Sequence, residues 1–445
     1  MQIMAQYDQD IARLFEPGAE SALNAYMRLL HPADIAELFN HVHTDSWPRI
    51  TALLKAEDLA EVIADLDTEQ RNILAEMIQT ERLIKAVDEL ETDDAADVIA
   101  DLPDEKSIVV LNALEDQTEV RKLLEYDQDS AGGLMQTELC RVQEGSTVLD
   151  AIDAVRTTRD IVDDVLEVYV VNAAGKLTGI VALEDLVLSK ENVSIDSISA
   201  ICEYKITPHI DQEEVAKLFG KYDLVTLPVI DDDGVLLGRI TFDDIHDVIE
   251  EEASEDIMTM AGAANEDLVY SGSTTRIAFL RLPWLASSLV GSLLTGYLLS
   301  LFAHIPGNAI IMASFVPVVM AMTGNLGSQT AMIVTRGFAI GKIDIRNMSK
   351  TFVREISVGL IMSFSAGISV GLFAQLWQGE SMLGLAVSTA MICSMTMASF
   401  VGVAAPALFK KIGIDPAIAA GPLVTTGCDL LGVLIYLCVA IAFLT

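Results

Sequence analysis

Gly421-Pro422-Leu423-Val424-Thr425-Thr426-Gly427-Cys428-Asp429-Leu430-Leu431-Gly432 lies within an apolar run from 416 to 444, and Asp429 is the one acid set well inside such a run. An ionisable side chain in hydrocarbon is costly and is normally retained for function. Thr425 and Thr426 place hydroxyl oxygens one turn before Asp429, and Gly421 and Pro422 loosen the backbone there. A helix needs about 20 apolar residues to span a bilayer. Runs at 283–303, 308–335, 351–376 and 382–409 meet that length as well, so five spans are predicted. The second span carries Pro317 and then Gly324-Asn325-Leu326-Gly327-Ser328-Gln329, so breaks or tilts are expected in it as in the fifth. Broken backbone at membrane depth is tolerated where it lines a cavity or is packed in protein. Gly324, Asn325, Gly327, Gln329, Gly421, Thr425 and Thr426 are therefore candidate lining residues, and Asp429 is the candidate metal contact. Carbonyls, hydroxyls, amides and one carboxylate, with no His, make an all-oxygen set. That set suits a hard cation such as Mg²⁺, which dehydrates reluctantly and can be held through its water. Helix packing through small residues explains the glycines equally well but leaves Asp429 unexplained.

Outward from this run the chain divides into two physical halves. The 445 residues carry a formal charge of −37 while 51% are apolar, a combination that does not suit one globular domain. Residues 276–445 hold nine bases and five acids, a net of +4, so residues 1–275 carry −41. The acidic half argues against nucleic acid as a partner, because phosphates are repelled, and favours metal cations. Arg276 and Arg281 precede span one; Lys342, Arg346, Lys350 and Arg354 lie between spans two and three; Lys410 and Lys411 lie between four and five. The loops at 304–308 and 377–381 have no Lys or Arg. The basic loops all fall on one side with the acidic half, which predicts a cytoplasmic N-terminus and an external C-terminus. Residues 1–15 lack an apolar segment, so no cleaved signal is expected. Cys140, Cys202, Cys393, Cys428 and Cys438 show no C-x-x-C spacing and read as buried free thiols in a reducing compartment.

Two repeats organise the acidic half. Asp34-Ile35-Ala36-Glu37-Leu38 recurs as Asp58-Leu59-Ala60-Glu61-Val62 and as Asp94-Ala95-Ala96-Asp97-Val98. Each copy sets an acid near a helix start, where the dipole favours it, ahead of an apolar face. This predicts a superhelical stack of helical hairpins to about residue 130. Downstream, Gly175-Lys176-Leu177-Thr178-Gly179-Ile180-Val181 aligns with Gly234-Val235-Leu236-Leu237-Gly238-Arg239-Ile240 at an offset of 59. A β run precedes each copy (168–171 and 225–230), and a helix expected to be capped by Asp follows each. These tandem α/β units resemble a pair of CBS domains.

The stretch that follows the second unit puts Ile245, Val248, Ile249, Ala253, Ile257 and Met260 at helical spacing. Asp244, Asp247, Glu251 and Glu255 form an adjacent acidic stripe. Like charges three and four apart oppose one another, and a bridging divalent cation would relieve them. A solvated acidic linker is the plainer alternative.

The whole order of parts resembles the MgtE magnesium transporters. So do the strings Tyr126-Asp127-Gln128-Asp129-Ser130-Ala131-Gly132-Gly133-Leu134-Met135, the 324–329 string with Arg336, Ala339 and Gly341, and Asp415-Pro416-Ala417 leading to Asp429. The resemblance implies an acidic helical N domain over 1–130, CBS units at 131–195 and 196–252, a connecting helix and linker at 253–275, and a five-helix transmembrane domain over 276–445. It implies a homodimeric Mg²⁺ channel in a bacterial inner membrane, with Asp429 in the pore and the connector shutting that pore when intracellular Mg²⁺ is bound. Among cytosolic acids it implies Asp94, Asp97, Asp211, Glu213, Asp223, Asp244, Asp247, Glu252, Glu255 and Asp256 as Mg²⁺-sensing positions. Some members carry a polar side chain where this chain has Gly421, so a side-chain contribution to the pore is missing there. Members of the family can bind ATP at the CBS pair, and no residue pattern here decides that point. Two other readings stand beside this one: a transporter of Co²⁺ or Mn²⁺, and a membrane-anchored CBS nucleotide sensor that conducts nothing. No P-loop, G-x-S-x-G or H-E-x-x-H is present, so an enzyme or a hydrolysis-driven pump lacks its parts.

Overall fold

The computed structural model describes residues 20–159, 165–262, 274–302 and 309–444. The start at 1–15, where no cleaved signal is expected, most of the connector's linker (263–273) and the 304–308 loop lie outside the described residues. The chain forms two compact units, one ending at Ile249 and the other starting at Glu250.

The first unit opens with nine short helices: α1 (Glu20–Met27), α2 (Pro32–His41), α3 (Trp47–Thr51), α4 (Ala56–Ala64), α5 (Thr68–Met77), α6 (Thr80–Val87), α7 (Thr92–Asp101), α8 (Asp104–Leu111) and α9 (Gln117–Leu123). The three repeats fall on α2, α4 and α7, with Asp34, Asp58 and Asp94 in the first turns. Ile35, Leu38, Leu59, Val62, Val98 and Ile99 face the interior of the stack. Helices this short are marginal alone, so the stack is held by these apolar faces rather than by helix propensity. Arg71 ties two layers together: its Nη1 donates to Asp101 Oδ2 at 2.9 Å and its Nε to the Ile63 carbonyl at 3.1 Å.

Two α/β units follow. The first contains β1 (Arg141–Gln143), α10 (Val148–Thr158), β2 (Glu167–Val171), β3 (Leu177–Ala182) and α11 (Leu183–Leu188). The second contains α12 (Gln212–Tyr222), β4 (Thr226–Ile230), β5 (Leu236–Thr241) and the start of α13 (Phe242–Met260). Strand β1 runs parallel to β2, while β2–β3 and β4–β5 are antiparallel hairpins bulged at matching places, Val170/Val171 and Val229/Ile230. Each hairpin turn is closed by one side chain. Asn172 Oδ1 accepts from the Ala174 and Lys176 amides, and Asp231 Oδ1 accepts from those of Asp233 and Val235. Gly175 and Gly234 take the left-handed position at φ +77 and +86. The two turns also bond each other reciprocally, Leu177 N to Gly234 O at 3.0 Å and Leu236 N to Gly175 O at 3.1 Å. The 59-residue repeat is thus a local two-fold in space. The acids at the helix starts are not N-caps. Ala182 caps α11 without a side-chain bond, and Asp244 reaches back from the first turn of α13 to Thr241, accepting from its hydroxyl at 2.6 Å. The connector is likewise not a separate element, because α13 runs unbroken over 19 residues from the second α/β unit to Met260.

The second unit holds five helices long and apolar enough to cross a membrane, over Ile277–Leu301, Ile311–Ala339, Met348–Gln378, Ser381–Lys411 and Pro422–Phe443. They are built from α14 (Thr274–Phe302), α15 (Ala309–Ala313) with α16 (Val316–Ala339), α17 (Met348–Gln378), α18 (Ser381–Lys411) and, after the short α19 (Ala417–Ala420), α20 (Pro422–Leu444). The expected irregularities are present, but one is misplaced. The second span breaks before Val316, with Pro317 in the first turn of α16 where its missing N–H is harmless. The 324–329 string lies in unbroken helix, so its carbonyls belong to the helical ladder and are not presented to a cavity. The fifth span does break, at Gly421 between α19 and α20. The thiols also differ from expectation: Cys140, Cys202 and Cys428 are buried and free, whereas Cys393 and Cys438 are exposed on the outside of this unit.

Helices α17 and α18 form a tight antiparallel hairpin across Gly379. Their contact is a stripe of small residues four apart, Gly359, Ser363, Gly367 and Gly371, all buried. A Cβ at Gly371 would stand 2.7 Å from the Gly384 carbonyl and 2.6 Å from Ser388 Cβ. In a bilayer, where no hydrophobic drive separates lipid from helix, such close approach is the main source of association. Gly371→Leu should force these helices apart and lower the melting temperature of the purified protein, at a stability loss of about 1–3 kcal/mol. An unchanged melting curve would count against this packing.

Candidate functional site

Asp429 sits on α20 where that helix meets α16. A Cβ at Gly324 would lie 3.0 Å from Asp429 Oδ1 and 3.2 Å from Thr425 Cγ2, so only glycine leaves the carboxylate this room. Asp429 Oδ1 is buried and has no hydrogen-bond partner, one of three such side-chain atoms among the described residues. A buried acceptor left this way costs about 1–3 kcal/mol, more when charged, and marks a place where a cation or its water would be welcome. Around it, Ser328 Oγ and Thr425 Oγ1 are 2.6 Å apart, and Thr426 Oγ1 donates to Ser288 Oγ at 3.4 Å. Gly327 gives way to the Cys428 thiol, and Gly291 of α14 to the Thr426 methyl.

Of the lining residues expected from sequence, Gly324, Gly327, Thr425 and Thr426 gather round Asp429. Asn325 and Gln329 lie on the exposed face of α16, one turn apart. Ser288 and Gly291 were not expected; small and hydroxyl residues three apart on an uncharged stretch of the span are the sequence signal by which they could have been found. Gly421 serves a different purpose. A Cβ there would stand 2.6 Å from the Met260 carbonyl, so the end of α13 rests directly on the break in the fifth span. The Met260 side chain joins the apolar cluster of Ala331, Ala420, Val424 and Cys428.

The acids of the first unit form two groups. In the larger one, α7 brings Asp93 and Asp94, with Glu91 just before it, against Asp243, Asp244 and Asp247 of α13. Burial pushes the Glu91 carboxyl up to about 7, with Glu138, Asp94 and Asp244 adding to the rise and Arg239 opposing it. Asp244 is pushed up to about 6, by burial first and then by Asp243 and Asp94, against its bonds from Thr241. Asp93, only 6% exposed, is raised well above the carboxylate range by burial, Asp244, Asp94 and Glu91, and its Oδ1 has no partner. Burial raises Asp94 too, with Asp65, Asp243 and Asp247 adding and Arg71 opposing. Asp97 lies further along α7, half-buried. In the smaller group, Asp129 is raised by burial, Asp127 and Asp211. Asp211 also caps α12 by accepting from the Glu213 amide at 3.0 Å, and Glu213 is bridged by Lys217 at 2.8 Å. Asp223 stands apart in the left-handed C-cap of α12 at φ +51, and Glu252, Glu255 and Asp256 lie on the stretch of α13 that belongs to the second unit.

No three acids, His or Cys among the described residues converge as a finished ligand set. The carboxylates are near enough to raise one another. Asp93, Glu91 and Glu138 were not expected from sequence, because their importance comes from Glu138 and Gln136 folding back: Thr92 Oγ1 donates to Glu138 Oε2 at 2.6 Å, and Gln136 Nε2 donates to Glu91.

Two outcomes follow from these contacts. Gly421→Asn should lift Met260 from its seat and speed hydrogen exchange over 255–262; unchanged exchange would show that the contact carries no weight. For the acids, a folded-state pKa above the ordinary value means that stability is fully present below the ordinary carboxylate range. It is lost as pH rises through about 6 for Asp244 and about 7 for Glu91. Without divalent cations the melting temperature should therefore fall as pH rises across that window, and a divalent cation should restore it above neutrality. A melting temperature that rises with pH would overturn this account.

Comparison with known proteins agrees with this division. Residues 316–439 match a family model described as MgtE, divalent cation transporter; 30–129 match the MgtE intracellular N domain; 131–191 and 202–251 match CBS domains. A magnesium transporter MgtE of Bacillus subtilis is 30% identical over 443 residues, covering 98% of each chain. One from Thermus thermophilus is 34% identical over 326 residues, 73% of this chain and 72% of that one. Among solved structures, the cytosolic domain of the Mg²⁺ channel MgtE in complex with ATP has a TM-score of 0.51 at 29% identity, covering 54% of this chain and 98% of its own. With a relative at that identity matching nearly end to end, and with helical, CBS and membrane parts each recognised in order, this chain belongs to the MgtE family of multi-pass membrane transporters.

Proposed function

We propose that the chain carries Mg²⁺ across a bacterial inner membrane as a gated, non-enzymatic conduit. The observation that carries this reading is the partly buried Asp429 carboxylate, whose Oδ1 lacks a protein partner, amid hydroxyls and small residues on three membrane helices. A single carboxylate with hydroxyl neighbours can hold an ion through its water shell, which favours Mg²⁺ over softer cations that seek nitrogen or sulfur. The basic loops support an internal N-terminus and an external C-terminus. Asn325 and Gln329, polar and exposed on one chain, support a homodimer in which a second copy covers that face.

On this reading the cytosolic acids are the valve, with Asp94, Asp97, Asp211, Glu213, Asp223, Asp244, Asp247, Glu252, Glu255 and Asp256 as sensing positions, joined by Glu91 and Asp93. Dications offset the repulsion within a half that carries −41 and favour a closed state; their loss frees α13 and opens the path. A ligand shifts such a balance only by its differential affinity for the two states, so several weak sites acting together are required. The unexpected seat of Met260 on Gly421 gives the connector a way to hold the fifth span. The division at 130, 195, 252 and 275 belongs to the same reading, with α13 shared between the second CBS unit and the connector.

Asp429→Ala should abolish Mg²⁺ uptake into proteoliposomes or reduce it at least tenfold, with Co²⁺ and Mn²⁺ tested as competitors. Undiminished flux would remove Asp429 from the mechanism, and flux of Mn²⁺ or Co²⁺ in preference to Mg²⁺ would replace the cargo. Asp93→Asn keeps the shape of the side chain and removes its charge, so it should flatten the dependence of closure on internal Mg²⁺ while leaving open-state flux intact. A dependence identical to the unmodified protein would count against the acidic valve.

A further inference from the structure

Helix α17 is entered through a run of cations. Lys342, Arg346, Lys350 and Arg354 recur every four residues, from the loop before the helix into its second turn. All four are exposed. No described carboxylate forms an ion pair with any of them. Like charges at that spacing oppose one another, and cations near the start of a helix oppose its dipole. The first turn of α17 holds no acid to offset them. The acids nearest in sequence are engaged elsewhere. Asp344 accepts from the Arg346 amide at 2.8 Å. Glu355 is buried, and its carbonyl accepts from Ser399 of α18 at 3.2 Å. Asp415, in the loop after α18, accepts from the Ala417 amide at 2.8 Å. Arg336 near the end of α16, and Lys410 and Lys411 at the end of α18, lie at the same end of these helices and add to the positive charge.

The face of α17 that carries Lys350 and Arg354 continues inward as apolar surface. Val358, Ile361 and Ile368 follow them at helical spacing, and all three are exposed. From Arg354 to Ile361 the helix rises about 10 Å, which stays within one leaflet of a hydrocarbon core about 30 Å thick. Cations at the rim, with an apolar stripe running inward from them, fit a molecule with an anionic head and a hydrocarbon tail. We infer that this face of α17 binds an anionic phospholipid, its phosphate at Lys350 and Arg354 and an acyl chain along Val358 and Ile361. A soluble phosphate would use the cations and leave the stripe unused. A second copy of the chain, docked two-fold on this face, would set the cations against their own images. The general excess of basic residues on one side of a membrane explains cations in the loop, but not the register of two of them with the stripe.

Full-length protein in phosphatidylcholine nanodiscs containing a minority of phosphatidylglycerol tests the inference. Spin-labelled forms of the two lipids are compared by the fraction that the protein immobilises. Phosphatidylglycerol should be preferred by about tenfold or more. The preference should be lost in Lys350→Gln/Arg354→Gln and kept in Lys350→Arg/Arg354→Lys, each checked for an unchanged melting temperature. Equal immobilisation of the two lipids by the unmodified protein, or a preference undiminished in the Gln pair, would overturn the inference. Displacement of the labelled lipid by millimolar inorganic phosphate would assign the cations to a soluble anion and overturn it too. Amine labelling of Lys350 that is slow in pure phosphatidylcholine, and fast only in high salt, would show the cations already covered by acids of the chain, with the same consequence. These readouts do not depend on which ion is transported.

Discussion

Carboxylates held where water cannot fully solvate them, with too few cations to balance them, are the constraint on which both units depend. In the first unit, Glu91, Asp93, Asp94 and Asp244 are gathered by α7 and α13, and burial first, then neighbouring carboxylates, raise their pKa. In the second, Asp429 is set among hydroxyls and glycines with one oxygen unpartnered. A buried charge without a partner is expensive. Proteins keep such groups where a ligand supplies the missing charge, and Arg239 and Arg71 are too few to do so here.

The acids differ in how finished their sites are. A structural zinc or calcium site brings several protein ligands onto one ion. Here no three candidate ligands converge among the described residues, while burial and the neighbouring carboxylates raise Glu91, Asp93, Asp94 and Asp244. The helix that bears many of these acids, α13, continues without interruption to Met260, and Met260 rests on Gly421. One helix thereby carries charge at one end and packing at the other.

Small residues have two separate uses in the membrane unit. Along α17 and α18 they let backbones approach, as at Gly371 beside Gly384. Around Asp429 they make room: Gly324 clears the carboxylate, and Gly327 clears Cys428. The glycines of α17 and α18 and those around Asp429 therefore meet different neighbours.

Sequence alone determined the features that depend on local pattern. Apolar length decided the five spans, a 59-residue offset decided the paired α/β units, and the depth of Asp429 in its run marked it before any contact was known. Only tertiary structure decided which glycines face which helix, that the 324–329 string stays helical while Gly421 breaks, and that Asn325 and Gln329 turn outward. It also decided that Glu91 and Asp93, unremarkable acids at a helix start by pattern, are buried beside Asp94 and Asp244. Periodicity reports which face of an element is apolar, because that follows from bond geometry within one segment. Burial of a charge depends on which distant segment closes over it, and that is settled only when Gln136, Glu138 and α13 fold back across α7.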